Sequence, residues 1–270
     1  MLTIPLQSHK IEGSRTFSYG GDSMDEQFSR SALLLGEDAI NTLSNSRIAV
    51  FGVGGVGGYC VESLARSGVG TLHLYDDDTV SASNLNRQIA ALHSTLGRPK
   101  VQVMAERVQD INPACDVQAI RMFYLPANAD EVDLSQYDYV VDCIDTVAAK
   151  LELICRCTAL NVPIISAMGT GNKLDPSALR VSDISKTTGC PLARVMRKEL
   201  RKRGIEHLKA VWSTEEPRKP LEQAAAEAPL QSDTRPGSTA RRDTPGSLPF
   251  VPAAAGLLLA STVLRYLIDE

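Results

Sequence analysis

The sequence predicts an α/β protein with a Rossmann-like, doubly wound and mostly parallel sheet, followed by a C-terminal lobe of mixed strands and helices. Short apolar runs alternate with segments of helical spacing, as βαβ units require. A glycine-rich turn at residues 52–57 joins the first run to a helical segment. The run at residues 139–144 is almost continuously apolar, which is typical of a strand buried on both faces.

The predicted elements of the sheet follow in order from residue 25. One or two short helices occupy residues 25–43, where leucine and isoleucine recur at helical spacing. After them come a strand at 48–51, a helix at 56–66, a strand at 71–75, a helix at 100–111, strands at 117–122 and 139–144, a helix at 148–161 and a strand at 164–167. The helix at 100–111 stops at Asn112-Pro113, because proline cannot continue it. We expect the parallel part of the sheet to end near residue 167.

The rest of the chain is expected to differ in architecture. A strand at 180–184, a helix at 191–203 and a strand at 207–212 would form a substrate lobe over residues 178–214. Residues 215–247 are rich in proline and small or polar residues, which predicts a disordered loop, and residues 1–24 are predicted to be a mobile N-terminus. Residues 248–270 are predicted to be a helix packed on the core, because the apolar run at 250–264 is too short and broken for a membrane span.

Composition and charge argue against several classes of protein. The formal net charge of −4 disfavours a protein that coats nucleic acid through bulk charge, although a local basic patch stays open. The six cysteines include no Cys-x-x-Cys pair, so no structural zinc site is expected. Most of them lie in apolar patterns, which predicts reduced thiols in a cytoplasmic protein. Residues 1–10 show no secretory signal.

The glycine-rich turn predicts a nucleotide site. Glycines allow the backbone to approach a phosphate at the start of a helix, and Asp76, about 20 residues further on, can accept hydrogen bonds from ribose hydroxyls. Taken alone, these features also suit a dinucleotide cofactor such as NAD. Asn84, Arg87 and Lys100 favour ATP, because a triphosphate carries more negative charge than a dinucleotide.

Together these motifs resemble the ThiF/HesA/MoeB adenylating superfamily, which is related to the ubiquitin-activating enzymes. The resemblance rests on Gly-x-Gly-Gly-x-Gly at 52–57, Asp76-x-Asp78, Ser83-Asn84-Leu-Asn-Arg87-Gln88, Lys100 and Asp142-x-x-Asp145. Residues 168–176, 182–187 and 190–197 are similar to the branch called tRNA threonylcarbamoyladenosine dehydratase. The resemblance covers roughly residues 25–216 and 246–268.

The resemblance implies an ATP-dependent dehydration of tRNA, in which residues 25–177 form the ATP-binding adenylation core. In that branch the carboxylate of threonylcarbamoyladenosine, next to the anticodon, becomes an acyl-adenylate. An internal nitrogen or oxygen then displaces AMP and closes a ring. Adenylation turns a poor electrophile into one with a good leaving group, and the intramolecular attack gains from proximity. No protein nucleophile is needed.

The resemblance also implies roles for individual residues. The predicted ATP site comprises Gly52, Gly54, Gly55, Gly57, Asp76, Asp78, Ser83, Asn84, Arg87, Gln88, Lys100, Asp145 and Thr146, with Arg30 reaching in from the other subunit of a homodimer. The predicted catalytic residues are Arg87, Lys100 and Asp145. The two cations would neutralise phosphate charge, and Asp145 would bind Mg²⁺ together with ATP. Each has an ordinary alternative, which is a solvated surface group for the cations and a helix N-cap for Asp145.

A basic helical segment is the predicted tRNA contact. Its cations are Arg194, Arg197, Lys198, Arg201, Lys202 and Arg203, which outnumber the single acid Glu199. Such cations can bind phosphates even though the whole chain is acidic. The alternative is a solvated helix face. Cys190 at the start of this segment is either a reactive thiol or a bystander.

Two other functions remain open. An adenylyltransferase for a ubiquitin-like sulfur carrier would share the ATP motifs, but the missing Cys-x-x-Cys pairs and the basic helix weigh against it. A non-catalytic nucleotide-binding protein is disfavoured by the intact set Arg87, Lys100 and Asp145. The resemblance further implies tRNA as the main partner, and it leaves open whether a sulfur-transfer protein accompanies the enzyme.

Overall fold

The computed structural model describes residues 26–219, 221 and 245–269. The predicted mobile N-terminus at 1–24 and most of the predicted loop at 215–247 lie outside these residues. The helices are α1 (Ser29–Leu35), α2 (Glu37–Asn45), α3 (Gly57–Arg66), α4 (Lys100–Ile111), α5 (Val147–Leu160), α6 (Pro191–Arg201) and α7 (Phe250–Leu267). The strands are β1 (Arg47–Phe51), β2 (Thr71–Tyr75), β3 (Asp116–Ile120), β4 (Tyr139–Asp142), β5 (Ile164–Ala167), β6 (Leu179–Asp183) and β7 (Lys209–Ser213).

The seven strands form one sheet with the order β3-β2-β1-β4-β5-β7-β6. All neighbouring strands are parallel except β6 and β7. The first strand, β1, lies in the interior of the sheet. β2 and β3 are added on one side of it, and the chain then crosses to the other side, where β4 pairs with β1. The strand order therefore reverses between β1 and β4, and a ligand crevice is expected at their carboxyl ends. The predicted fold class is confirmed.

Alternating side chains of β1 show that both faces of the sheet are covered. Ile48 and Val50 lie in one apolar cluster with residues of α3, α4 and α7. Ala49 and Phe51 lie in a second cluster, on the side of α5. Burial on both faces explains why these strands are apolar runs and not alternating patterns.

The predicted end of the parallel sheet at residue 167 is wrong. β7 pairs parallel with β5, with Ile165 opposite Lys209, and β6 then adds an antiparallel edge. Residues 178–214 contain the predicted strands and helix, but they extend the same sheet, and α6 packs on α5 through Ile154, Met196 and Leu200. The sequence could not indicate this, because pairing between β5 and β7 joins residues more than 40 positions apart.

Some elements end earlier than predicted. β4 stops at Asp142 and not at residue 144, because the Asp142 carboxylate accepts a hydrogen bond from the Ile144 amide and turns the chain away from the sheet. α6 stops at Arg201 and not at residue 203. The chain turns there through Gly204, whose φ of 76° suits glycine best.

Helix α7 closes one face of the sheet. Val251, Ala255, Leu259 and Val263 on its inner side are fully buried. Gly256 allows close packing on α3, since a Cβ there would lie 2.4 Å from the Val56 carbonyl oxygen. By length and mean hydropathy of 1.6, α7 passes the test for a membrane span, but a buried core helix of this kind passes it as well.

Asn172 joins two distant parts of the chain. Its backbone carbonyl accepts from the Arg218 amide at 2.8 Å, and its own amide donates to the Gly246 carbonyl at 2.7 Å. Its side-chain Oδ1 also accepts from the Gly246 amide at 2.7 Å. A φ of 59° places Asn172 in the left-handed region, which asparagine tolerates better than most residues.

His73 is a buried titratable group in β2. Its Nδ1 lies 2.7 Å from the Tyr137 hydroxyl, and its Nε2 is buried without a hydrogen-bond partner among the described residues. Burial, assisted by the charge of Arg47, lowers the pKa of His73 below its usual 6.5. The imidazole therefore stays neutral in the folded protein at a pH where the unfolded chain already binds a proton.

We expect the free energy of unfolding to fall by roughly 1 kcal/mol as the pH is lowered from 7.5 to 5.5. The sign follows because protons bind preferentially to the unfolded state below pH 6.5. Urea denaturation at several pH values measures the effect. His73→Gln should reduce the slope of stability against pH, whereas His93→Gln, at an exposed position, should leave it unchanged. Equal slopes in the wild type and His73→Gln would contradict the assignment.

Candidate active site

The loop after β1 has two kinds of glycine. A Cβ at Gly52, whose φ is 86°, would lie 2.7 Å from the Cys143 carbonyl oxygen, and a Cβ at Gly57 would lie 1.8 Å from the Gly52 oxygen. These two glycines are needed for the turn itself. At Gly54 and Gly55 the nearest atoms to an added Cβ are 3.7 and 3.5 Å away. These two leave a bare, partly exposed backbone at the start of α3, where a phosphate can approach.

Asp76 follows β2 and lies directly beside the glycine loop. Its Oδ2 accepts from the Val53 amide at 2.8 Å, and its Oδ1 accepts from the Asp78 amide at 2.9 Å. Burial raises the pKa of Asp76, and the charge of Lys100 opposes that rise. The carboxylate is thus held rigidly at the carboxyl end of β2, in the position expected for a ribose ligand.

Lys100 is the first residue of α4 and is 4% exposed. Its Nζ donates to Asp78 Oδ2 at 2.8 Å. Asp78, which was predicted in the ATP site, is therefore the partner of Lys100. Carboxylate oxygens of Asp76, Asp77 and Asp78 lie within 4.8 Å of one another, an acidic group that the sequence analysis did not identify as a cluster.

Residues 81–88 bring an arginine and a glutamine to the glycine loop. The Arg87 Nη1 donates to the Ser83 carbonyl at 2.8 Å and to Asn86 Oδ1 at 2.9 Å. The Arg87 Cγ lies 3.7 Å from where a Gly55 Cβ would be, so the side chain runs beside the loop. Burial lowers the pKa of the Arg87 guanidinium from its usual value.

Gln88 has an unsatisfied buried acceptor. The residue is 8% exposed, and its Oε1 has no hydrogen-bond partner among the described residues. Its Nε2 lies 3.7 Å from the position of a Gly54 Cβ. A buried acceptor without a donor is costly, so a donor from a bound molecule or a water is expected at this point. Such an acceptor beside a bare glycine backbone fits a nucleotide.

Asn84 makes a hydrogen bond within its own segment. Its Oδ1 accepts from the Ser81 amide at 3.1 Å and caps the short helix Ala82–Asn84. The side-chain oxygen of Asn84 therefore stabilises the segment that carries Arg87. The Ser83 hydroxyl is exposed and lies 3.0 Å from the Ser81 hydroxyl.

Asp145 lies between β4 and α5 at the carboxyl edge of the sheet. It is exposed, and among the described residues its carboxylate accepts only from the Thr146 hydroxyl, at 3.3 Å. Thr146, and not Asp145, is the N-cap residue of α5. The alternative role of Asp145 as a helix cap is therefore wrong, and its oxygens are available to a cation.

The sequence analysis did not identify a buried charged residue in α5, the helix that follows Asp145. Lys150 of α5 is fully buried and forms an ion pair of 2.8 Å with Asp142, which is also fully buried. The signal was present, because a lysine among the apolar positions of a buried helix requires a partner.

The basic segment of α6 divides into two groups. Arg194, Lys198 and Arg201 are exposed and form no ion pair among the described residues. Lys202 and Arg203 pair with Glu199. Arg197 is only partly exposed and donates to the Thr187 carbonyl at 2.8 Å. Cys190, the N-cap of α6, is 3% exposed.

Arg30 lies exposed on α1. On the same short helix Leu33 and Leu34 are 89% and 84% exposed. Large leucines with that exposure are unusual on a free surface when they are adjacent, and they are typical of an interaction surface.

A cleft of about 990 Å³ opens at the end of the strands opposite the glycine loop. Ser46, Asp138 and Pro163, which line it, precede β1, β4 and β5. It therefore lies at the amino ends of the strands, away from the glycine loop. The glycine loop, Asp76 and Asp145 lie instead at the carboxyl ends of the strands, which is where open α/β sheets bind ligands.

The model of the ThiF family matches residues 28–270. The chain belongs to the ThiF family. A ThiF-family relative from Bacillus subtilis named tRNA threonylcarbamoyladenosine dehydratase is 42% identical over 248 residues, which cover 92% of this chain and 96% of the relative. The Escherichia coli protein named sulfur carrier protein ThiS adenylyltransferase is 38% identical over 152 residues, 55% of this chain and 60% of its own length.

The fold also matches solved structures. The crystal structure of the E. coli tRNA N6-threonylcarbamoyladenosine dehydratase TcdA in complex with ATP superimposes with a TM-score of 0.80 at 32% identity, covering 92% of this chain and 96% of that one. The sequence match to the Bacillus subtilis dehydratase therefore covers 92% of this chain, whereas the match to the ThiS adenylyltransferase covers 55%.

Proposed function

We propose that this protein catalyses the ATP-dependent dehydration of threonylcarbamoyladenosine in tRNA. The observation that carries the proposal is similarity to proteins of that name over more than nine tenths of the chain, with the ATP motifs gathered at one edge of the sheet. The match to the sulfur-carrier enzyme covers 55% of this chain, whereas the match to the Bacillus subtilis dehydratase covers 92%. Adenylation of a sulfur carrier remains the alternative to be tested.

The nucleotide would lie across the carboxyl ends of β1 and β2. Asp76 accepts from the ribose hydroxyls, and the bare backbone at Gly54 and Gly55 faces the phosphates. Arg87, which runs beside Gly55, and Lys100, which pairs with Asp78, are the cations that would neutralise phosphate charge. Gln88 Oε1 gains the donor that it lacks.

The proposed reaction has two steps, adenylation of the carboxylate and ring closure. A carboxylate oxygen of the substrate attacks the α-phosphorus of ATP, a P–O bond forms, and pyrophosphate leaves. An internal nitrogen or oxygen of the same nucleoside then attacks the activated carbonyl carbon, AMP leaves with the former carboxylate oxygen, and a ring closes with loss of one proton. The net change in the nucleoside is the loss of one water.

Asp145 would hold Mg²⁺, because its carboxylate is exposed at the sheet edge and does not cap α5. When bound, the ion neutralises charge on the ATP phosphates. The protein's own contribution is to fix Asp145 relative to Arg87 and Lys100.

Mass spectrometry of nucleosides tests the proposed function directly. Threonylcarbamoylated tRNA is incubated with the protein, ATP and Mg²⁺, beside a sample without ATP. ATP-dependent loss of one water from the modified adenosine supports the proposal. An unchanged nucleoside, with AMP released only when a ubiquitin-like carrier is added, would move the protein to the adenylyltransferase branch.

The tRNA surface is proposed to be the unpaired part of the basic segment. Replacing Arg194, Lys198 and Arg201 together by alanine should weaken tRNA binding and reduce the slope of log K against log salt by about two to three, because each phosphate contact contributes close to one. Filter binding at several salt concentrations measures this. The double variant Lys202→Ala/Arg203→Ala should change the slope less, since Glu199 already neutralises those charges. An equal change of slope in the triple and the double variant would contradict the division of α6 into unpaired and paired cations.

A homodimer is proposed from the same short helix that carries Arg30. Leu33 and Leu34 would be covered by a second copy, which brings Arg30 close to the partner's ATP site. Sedimentation of the wild type as a dimer, and of Leu33→Asp/Leu34→Asp as a monomer, would support this. A monomeric wild type would remove Arg30 from the site. A sulfur-transfer partner and a cytoplasmic location stay predictions.

A further inference from the structure

Lys150 uses all of its donors inside the protein. Its Nζ lies 2.8 Å from Asp142 Oδ2, donates to the Ile144 carbonyl at 3.1 Å and donates to the Ala167 carbonyl at 2.9 Å. Three partners match the three hydrogens of an ammonium group. The side chain is fully buried, so water does not replace any of these contacts.

Asp142 completes the same network. Its Oδ2 also accepts from the Ser166 hydroxyl at 2.6 Å, and its Oδ1 accepts from the Ile144 amide at 3.1 Å. The Asp142–Lys150 pair therefore holds both the amide and the carbonyl of Ile144. The chain cannot rotate freely at the residue that immediately precedes Asp145.

The network connects three loops at the carboxyl edge. The Ile144 carbonyl belongs to the peptide that leads into Asp145, and the Ala167 carbonyl ends β5 just before residues 168–172. The neighbouring Cys143 carbonyl packs against Gly52, where an added Cβ would approach it to 2.7 Å. One ammonium group thus fixes the segment of Asp145 relative to the end of β5, and the neighbouring Cys143 carbonyl lies against the glycine loop.

Stability alone does not explain a buried pair of this kind. Two apolar residues of similar size are often as stabilising, because burying two charges costs most of what their attraction returns. What an apolar pair cannot do is hold two carbonyls and an amide in fixed directions. That property is useful at the point where a carboxylate must be placed accurately.

We propose that Lys150, together with Asp142, is a positioning residue that sets the Asp145 carboxylate for Mg²⁺·ATP. The proposal rests on the proposed role of Asp145. Lys150 itself touches neither ATP nor the substrate. Replacing both members of the pair by apolar residues should therefore change how the protein responds to Mg²⁺ more than how it folds.

The test replaces the pair by apolar residues, in the double variant Asp142→Leu/Lys150→Met, which leaves no charge unpaired. We expect a folded protein that binds ATP without Mg²⁺ within threefold of the wild type. The Mg²⁺ concentration that half-saturates ATP binding, measured by calorimetry, should rise at least tenfold, and kcat for AMP formation should fall at least tenfold. Ser166→Ala, which keeps both charges, should raise the half-saturating Mg²⁺ about threefold and lower thermal stability only by the amount expected for one lost buried hydrogen bond.

Arg156→Met is the matched control on the same helix, because Arg156 forms ion pairs with Asp130 and Glu152 at the surface. It should leave the Mg²⁺ dependence unchanged. Wild-type Mg²⁺ dependence in the folded double variant, or in Ser166→Ala if the double variant does not fold, would overturn the proposal. Calorimetry with ATP and Mg²⁺ needs no tRNA, so a failure of the proposed dehydration would be seen separately.

Discussion

Lys100→Ala is expected to lower the rate of AMP formation by about 10²–10³-fold while the protein stays folded. The Lys100 side chain is 6% exposed, so its charge acts where little water screens it. Charge on the phosphates grows as pyrophosphate departs, and an ammonium group already in place stabilises that charge without reorganisation. The fold should survive because the partner Asp78 is 45% exposed and regains water.

The rate of AMP release in the presence of tRNA and saturating ATP measures this effect. Arg98→Ala is the matched control, since Arg98 lies two residues away and pairs with Glu106 at the surface. That variant should retain wild-type turnover. Lys100→Ala with the turnover of Arg98→Ala would remove Lys100 from the catalytic set.

Gly57→Ala is expected to destabilise the protein by more than about 3 kcal/mol or to prevent folding. A Cβ there would lie 1.8 Å from the Gly52 carbonyl oxygen, which is backbone and cannot rotate away. The glycine loop would have to open, and β1 and α3 on either side would separate. Urea denaturation measures the loss, and fluorescence of a bound ATP analogue measures the nucleotide site.

Two other glycines separate folding from binding. Gly169→Ala should be tolerated, because its Cβ would meet the Cys190 sulfur at an ordinary 3.8 Å. Gly54→Ala should also fold, since its nearest neighbour would be Gln88 Nε2 at 3.7 Å. It should bind ATP more weakly, because the methyl group would cover the bare backbone that is proposed to face the phosphates. A Gly57→Ala protein as stable as Gly169→Ala would disprove the steric account of the loop.

The sequence predicted best what depends on near neighbours. The glycine loop and Asp76 lie at the carboxyl ends of β1 and β2 within one βαβ unit, and Lys100 begins the predicted helix after β2. Arg87 lies in the segment that follows β2, shortly after the short helix Ala82–Asn84. The structure brings all of them to the carboxyl ends of β1 and β2.

Features that depend on distant contacts were not predictable in the same way. The parallel pairing of β7 with β5, and the antiparallel edge β6, depend on where residues 179–213 dock on the sheet. Arg197 and Asn84 are each hydrogen-bonded to a nearby backbone group, a contact that no sequence pattern reveals. Lys150 could have been suspected from its apolar surroundings, but its carbonyl partners could not.

The double attachment at Asn172 has a consequence for evolution and engineering. Because Arg218 and Gly246 both hydrogen-bond to this one residue, the chain that runs between them leaves and returns at the same place. The entropy of closing such a connection rises only slowly, by about 0.6 kcal/mol for each doubling of length. Additions or deletions between positions 219 and 245 should therefore be nearly neutral for the rest of the fold. Relatives can diverge most freely in length at this point, and a reporter domain inserted there would be anchored beside the ATP site.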